Sequence, residues 1–167
     1  DFINSVVNEK TKILGISTMD PLGLGPSTTT WSTLFSGIPH TRAEFLRLML
    51  GIVKPLKEKY DFKVVVGGSG AWQINKASVK EKLGVDYLLI GEGEYTIPSV
   101  FRSLLESGEY EKDVIEGGIV KPEDIPPILT PSVFGLVEVA RGCGRGCKFC
   151  VPATSGKMRM IPIEKIL

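Results

Sequence analysis

Three cysteines fall within eight residues near the C-terminal end of this chain: Cys143, Cys147 and Cys150, in the run Arg141-Gly-Cys-Gly-Arg-Gly-Cys-Lys-Phe-Cys150. They are the only cysteines among its 167 residues. An odd set of thiols does not pair off into disulfides. The spacing C-x3-C-x2-C lets one loop present three thiolates to a single iron–sulfur cluster, leaving one iron open for another ligand. Structural zinc asks for four ligands. This segment offers three, and the only histidine, His40, lies far upstream. Gly142, Gly144 and Gly146 make the loop too flexible and too polar for a core segment.

The bulk properties exclude several classes. Hydrophobic content of 43% and charged content of 23% are ordinary for a globular protein, and 167 residues suffice for a core without staples. A formal charge of +1 gives no global field toward nucleic acid or an anionic membrane, so a nucleic-acid partner is not expected. No apolar run reaches spanning length and no signal peptide opens the chain, which predicts no membrane partner. Clustered cysteines without a secretory signal point to a cytoplasmic setting. The first residue is Asp, and Ile163–Leu167 reads as a helix just begun, so the chain reads as a fragment of something longer.

The elements that must position the cysteines alternate in type. Residues 2–9 read as a helix tail, and Lys12–Thr18 as a short buried strand. Met19–Pro39, rich in Gly, Pro, Ser and Thr, reads as a loop. Thr41-Arg-Ala-Glu44 has the form of a capping box. Phe45, Met49, Val53 and Leu56 share a helical face that Pro55 should kink or break. Phe62–Val66 is a β-branched strand running into Gly67-Gly68. Ile74, Val79 and Leu83 predict a helix closed by Gly84. Val85–Ile90 is a strand ending in Gly91-Glu92-Gly93-Glu94. Ile97, Val100, Phe101, Leu104 and Leu105 predict a helix closed by Gly108. Such alternation predicts an α/β fold of right-handed βαβ units, with a parallel sheet covered on both faces. Pro122, Pro126, Pro127 and Pro131 mark a stiff linker, and Phe134–Ala140 reads as a new strand leading into the cysteines.

The cysteine loop, with Phe149 before the last cysteine and a strand before the first, resembles the signature of radical SAM enzymes. The resemblance implies that Cys143, Cys147 and Cys150 hold a [4Fe–4S] cluster and that S-adenosylmethionine chelates the fourth iron. It implies an electron from the cluster cleaving the sulfonium to give a 5′-deoxyadenosyl radical. It also implies Phe149 beside the adenine, or shielding the cluster, and a reductant such as flavodoxin or ferredoxin. No catalytic side chain is assigned by it.

The order of Ser17, then Gly67-Gly68, then Gly91-Glu92-Gly93-Glu94, then prolines and the cysteine loop, resembles the cobalamin-binding-domain branch of these proteins. That implies a Rossmann-like B12-binding-type domain over residues 1–118, its first βα unit missing. A linker over 119–133 and the opening βα unit of a TIM-like barrel over 134–167 would follow. Ser17, Gly67 and Gly68 would face the cobalamin tail, with Gly91, Glu92 and Gly93 nearby, and the chemistry would be methyl transfer or a related radical reaction on a small-molecule substrate. Tight turns account for the same glycines without a ligand. The Asp-x-His-x-x-Gly motif is absent; His40 beside Pro39 reads as a surface histidine, and Trp31 and Trp72 as core cover.

Val151-Pro152 and Gly156-Lys-Met-Arg159 are similar to a second group, methylthiotransferase-like radical SAM enzymes acting on tRNA or a ribosomal protein. That group carries three further N-terminal cysteines, and this chain has none before Cys143. A third reading is a non-catalytic iron–sulfur module joined to a small-molecule-binding domain. Lys80-Glu-Lys82 and Glu109–Asp113 read as solvated faces or turns.

Overall fold

The computed structural model describes residues 2–130, 132, 135–148, 150 and 156–167. Four parallel strands, β1 (Ile13–Ser17), β2 (Lys63–Gly67), β3 (Tyr87–Ile90) and β4 (Val114–Glu116), lie in the order β1-β2-β3-β4. β1 and β2 pair in register from Ile13 opposite Lys63 to Ser17 opposite Gly67. The β-branched run of β2 is buried as a central parallel strand requires. β1 is an edge strand and is only half-buried, which departs from the buried strand its sequence predicts.

Alternation along the strands builds two cores. Val64, Val66 and Leu88 face one layer, made by α3 (His40–Leu48), a π-helical turn (Met49–Val53), α4 (Lys54–Lys59) and α5 (Ala71–Lys76). Val65, Tyr87, Leu89 and Ile115 face α6 (Ile97–Glu106) on the other side, against Val100 and Leu104. The sheet is therefore covered on both faces, as expected. The strand order advances in one direction while α5 and α6 lie on opposite faces, so the crossover through α6 has the opposite hand to the one through α5. Uniformly right-handed units are not what forms.

Local differences have local causes. A short helix, α1 (Phe2–Val6), opens the chain. The segment read as a loop holds α2 (Pro26–Phe35), started by a proline in its first turn. No residue of α2 is buried. Trp31 stacks on Phe35 at 5.4 Å and is exposed rather than core cover; Trp72 is half-buried, with the Lys76 ammonium over its ring. α3 begins at His40, one residue before the expected cap, so Thr41 sits inside the first turn and the capping box does not form. Glu44 instead accepts from Arg47 Nε and Nη2. His40 is exposed, as a surface histidine should be. The break expected at Pro55 is the π-helical turn before it. Proline's ring clashes with the carbonyl four residues back, here Gly51, and the widened turn holds that residue. α5 ends at Lys76, because Ser78 turns left-handed (φ 51°) and leaves Val79 and Leu83 outside any helix. Leu105, read on the apolar face of α6, is exposed, and Lys80 is not on a solvated face but pairs with Asp113 at 2.8 Å.

The C-terminal part departs most. The strand expected over 134–140 is confined to β5 (Ala140–Arg141), which pairs antiparallel with β6 (Arg159–Met160). Phe134 lies outside the described residues. Among the described residues no helix stands between the cysteine loop and β6. In the proline-rich segment, Val120 and Ile125 flank a 3-10 turn (Pro122–Asp124) and are buried with Ile161, with Ile166 packed on them. No helix of the described residues is long and apolar enough to cross a membrane.

One polar cluster shapes the entry to α2. Gln73 is almost fully buried; its Oε1 accepts from Leu22 N at 2.9 Å and its Nε2 donates to Asp20 Oδ1 at 2.6 Å. Asp20 also accepts from Gly25 N and Thr28 Oγ1. Burial works against the Asp20 charge, but these hydrogen bonds outweigh it and hold the carboxyl below its ordinary 3.8. A lowered carboxyl stabilises the fold above its unfolded value and loses that contribution as pH falls through the folded value. Asp20→Asn should therefore cost about 1–3 kcal/mol near neutral pH. In denaturant titrations the difference from wild type should shrink once pH drops below 3.8. A difference that stays constant across that range would contradict the assignment.

Candidate functional site

The carboxyl ends of parallel strands share one edge, and ligands of open α/β sheets sit there. Ser17, Gly67, Gly68, Gly91, Glu92, Gly93 and Glu94 all come to that edge, around one cleft of about 980 Å³. Phe101 of α6 lines one side, and Ala140, Arg141 and Gly142, the stem of the cysteine loop, line another. The sequence therefore identified residues that the fold brings together, although it placed the stem across a linker.

The glycines answer first to the protein. Gly68 has φ 88°, and a Cβ there would collide with the Thr18 carbonyl oxygen and lie 2.6 Å from Thr18 N. Thr18 N in turn donates to Gly67 O at 2.8 Å, and Gly70 N donates to Thr18 O at 3.0 Å, stitching the ends of β1 and β2 together. At Gly93 a Cβ would come within 2.5 Å of Leu89 Cδ2. Gly91 has φ 101° and packs on Gly117. At 68, 91 and 93 the close approach is thus to protein atoms, and no corrin is needed to explain these glycines. Four carboxylates, Glu92, Glu94, Asp124 and Glu138, line the cleft with one arginine. That lining does not favour the phosphate of a nucleotide tail. His40, Trp31 and Trp72 are not among its walls.

The acidic turn holds the cysteine-loop stem. Glu92 Oε2 accepts from Arg159 Nη1 at 2.9 Å and from Arg141 Nη1 at 3.4 Å, while its Oε1 pairs with Arg159 Nη2. It also accepts from Val120 N at 2.9 Å. Arg141 further pairs with Glu94 at 2.5 Å and with Glu138 at 2.5 Å. The Arg159 hydrogen bond holds the Glu92 carboxyl below the usual range against its burial. Glu138, then Glu94, holds the Arg141 guanidinium more firmly protonated. Two buried atoms of the cluster, Glu94 Oε2 and Arg159 Nε, have no hydrogen-bond partner among the described residues. Sequence reasoning gave Glu92 to a ligand and missed this network. The available signal was two acids in one glycine turn and two arginines flanking the cysteines.

The cysteine loop leaves that stem. Cys143 and Cys147 are exposed, Cys150 is partly buried, and none is in a disulfide. Cys150 N donates to Cys147 O at 2.9 Å, so two of the thiols ride on one tight turn. Gly142, Gly144 and Gly146 are all left-handed. At Gly142 a Cβ would lie 2.6 Å from the carbonyls of Gly156 and Lys157, so glycine lets the two arms of the loop cross closely. Among the described residues no three His, Cys, Asp or Glu side chains converge as a metal site. The donor set nonetheless fits an iron–sulfur cluster: three soft thiols on a short, glycine-hinged loop, with Arg145 and Lys148 to offset a cluster's negative charge. Closure of the loop would accompany binding. Phe149, expected beside S-adenosylmethionine, lies outside the described residues, as does Val151-Pro152.

No family model matches the chain, and no solved structure matches it. Curated relatives do. The tRNA-2-methylthio-N(6)-dimethylallyladenosine synthase of Chromobacterium violaceum is 33% identical over 120 residues, which is 71% of this chain and 27% of that protein. The proteins of that name from Nitrosomonas eutropha and Burkholderia mallei are 29% and 30% identical over 120 residues. The matched stretch is thus under a third of the length of these relatives.

Because Thr18 leaves no room for a Cβ at Gly68, Gly68→Ala should destabilise the chain by about 1–3 kcal/mol with no ligand present. Thermal unfolding of the purified protein checks this. An unchanged midpoint would mean that the glycine serves a ligand instead.

Proposed function

We propose that this chain belongs to a methylthiotransferase-type radical SAM enzyme that modifies tRNA, and that it carries that enzyme's sheet domain and cluster loop. The similarity to synthases of a 2-methylthio tRNA nucleoside carries the reading. The cysteine spacing supports it independently. It is preferred to cobalamin-dependent methyl transfer because protein contacts account for glycines of the cleft and the relatives named above are 2-methylthio synthases. It also reverses the expectation of no nucleic-acid partner: a charge of +1 is silent about a substrate that is bound through a local surface.

Cys143, Cys147 and Cys150 would hold the cluster through their sulfurs. When bound, a cluster of this kind supplies one electron for reductive cleavage of S-adenosylmethionine. The chain's own residues do the positioning. Glu92 and Glu94 fix the arginines of the loop stem, and the left-handed glycines let the arms of the loop pass each other. No cysteine precedes Cys143, so these residues carry the ligands of one cluster only, and a further set for sulfur donation is not among them. The domain division at 118 and 134, a cytoplasmic location and a flavodoxin- or ferredoxin-type reductant belong to the same proposal.

Disruption of the gene in its own host tests the substrate. Mass spectrometry of digested tRNA should show loss of a 2-methylthio adenosine derivative. Complementation with the wild-type gene should restore it, and with Cys147→Ala should not. An unchanged nucleoside profile in the disrupted strain would overturn the proposal.

A further inference from the structure

Arg141 and Arg159 are direct cross-strand partners in the β5–β6 ladder. Like charges directly opposite one another destabilise a strand pair. This ladder has two residue pairs, Ala140 with Met160 and Arg141 with Arg159, which is too few to hold a hairpin in water unaided. Apolar cover on it is slight: Val139, Met158 and Met160 are exposed, and only Ile161 beyond β6 is buried. Yet Cys143, Cys147 and Cys150 all fall between its two strands in the chain.

Glu92 resolves the conflict. Its carboxylate lies between the two guanidiniums and bonds both. Glu94 pairs with Arg141 Nη1 at 2.5 Å, and Glu138 takes the Nε and Nη2 of the same guanidinium. The Arg159 guanidinium also reaches the Val120 carbonyl, whose own amide donates to Glu92. The side chains of Glu92, Glu94, Arg141 and Arg159 are each only 15–21% exposed. Removing one partner from such a pair leaves a charge stranded in a poorly solvated place.

We propose that Glu92 and Glu94 are positioning residues for the cysteine loop: a carboxylate latch that closes the β5–β6 stem against the ligand edge of the sheet and so fixes where the three thiols stand. The inference deepens the iron–sulfur reading, but it concerns the chain before any cluster is present. The charge pattern predicts something that ordinary packing does not. Losing Glu92 should open the stem because Arg159 is left beside Arg141 without the carboxylate that bridged them, while Glu94 and Glu138 still hold Arg141; removing Arg159 as well should partly close it again.

The test uses the cluster-free protein under anaerobic, reducing conditions. Hydrogen–deuterium exchange is followed through residues 138–161 and through β2 and β3. Alkylation rates of Cys143, Cys147 and Cys150 are measured in parallel. Glu92→Gln should speed exchange and alkylation in the loop and stem by on the order of tenfold or more, while β2 and β3 stay protected. Glu92→Gln combined with Arg159→Gln should recover part of that protection. Equal rates in Glu92→Gln and wild type would overturn the latch, and so would a double variant as open as the single one. Should Glu92→Gln also expose β2 and β3, Glu94→Gln decides: loosening confined to the loop and stem supports the latch, and unchanged rates overturn it. Iron and sulfide uptake by the wild type is read separately. A chain that takes up no cluster, yet passes these tests, refutes the iron–sulfur reading and leaves the latch standing.

Discussion

The carboxylate of Glu92 sits where three parts of the molecule meet. It belongs to the turn after β3, it accepts from the amide of Val120 in the proline-rich segment, and it pairs with Arg159 and Arg141 on the two arms of the cysteine stem. The parallel sheet would stand without it, because its two cores are apolar and bury both faces. The C-terminal segment would not be placed, because its own ladder is two residue pairs long and its apolar core is Val120, Ile125 and Ile161. A charged cluster of this kind adds little net stability compared with apolar packing, but it specifies one arrangement over others.

That division explains what was legible in the sequence. Periodicity reports burial, so β2, β3, the Phe45-Met49-Val53 face and α6 could be read directly, and their parallel order followed from alternation. α2 could not, because its Thr- and Ser-rich sequence buries nothing and so has no apolar period. The capping box failed by one residue of phase at His40. The strand before the cysteines was read from apolar residues at 136, 137 and 139, which are exposed in the fold. Apolar composition there reflects no local core, and the pairing is set by Arg141 and Arg159 contacts far away in sequence.

The candidate site divides in the same way. Cys143, Cys147 and Cys150 could be singled out because thiol spacing is itself a chemical pattern, and their ligation is what the proposed function adds. The residues of the sheet edge come together at one cleft, and protein contacts account for their types: Thr18 and Leu89 crowd Gly68 and Gly93, and arginines face Glu92 and Glu94. A sequence names the residue types at a turn and leaves open which neighbour demanded them. The cleft of about 980 Å³ stays bounded on one side by the cysteine stem, so whatever occupies it touches the element that carries the thiols.

The proposed function requires that Cys143, Cys147 and Cys150 hold a cluster and leave one iron open. Electron paramagnetic resonance of the anaerobically reconstituted, reduced protein addresses this directly, with and without S-adenosylmethionine. The account predicts a low-potential cluster signal that changes shape when S-adenosylmethionine is added and that is absent from Cys147→Ala. A signal indifferent to S-adenosylmethionine, or one that survives the loss of Cys147, would contradict it.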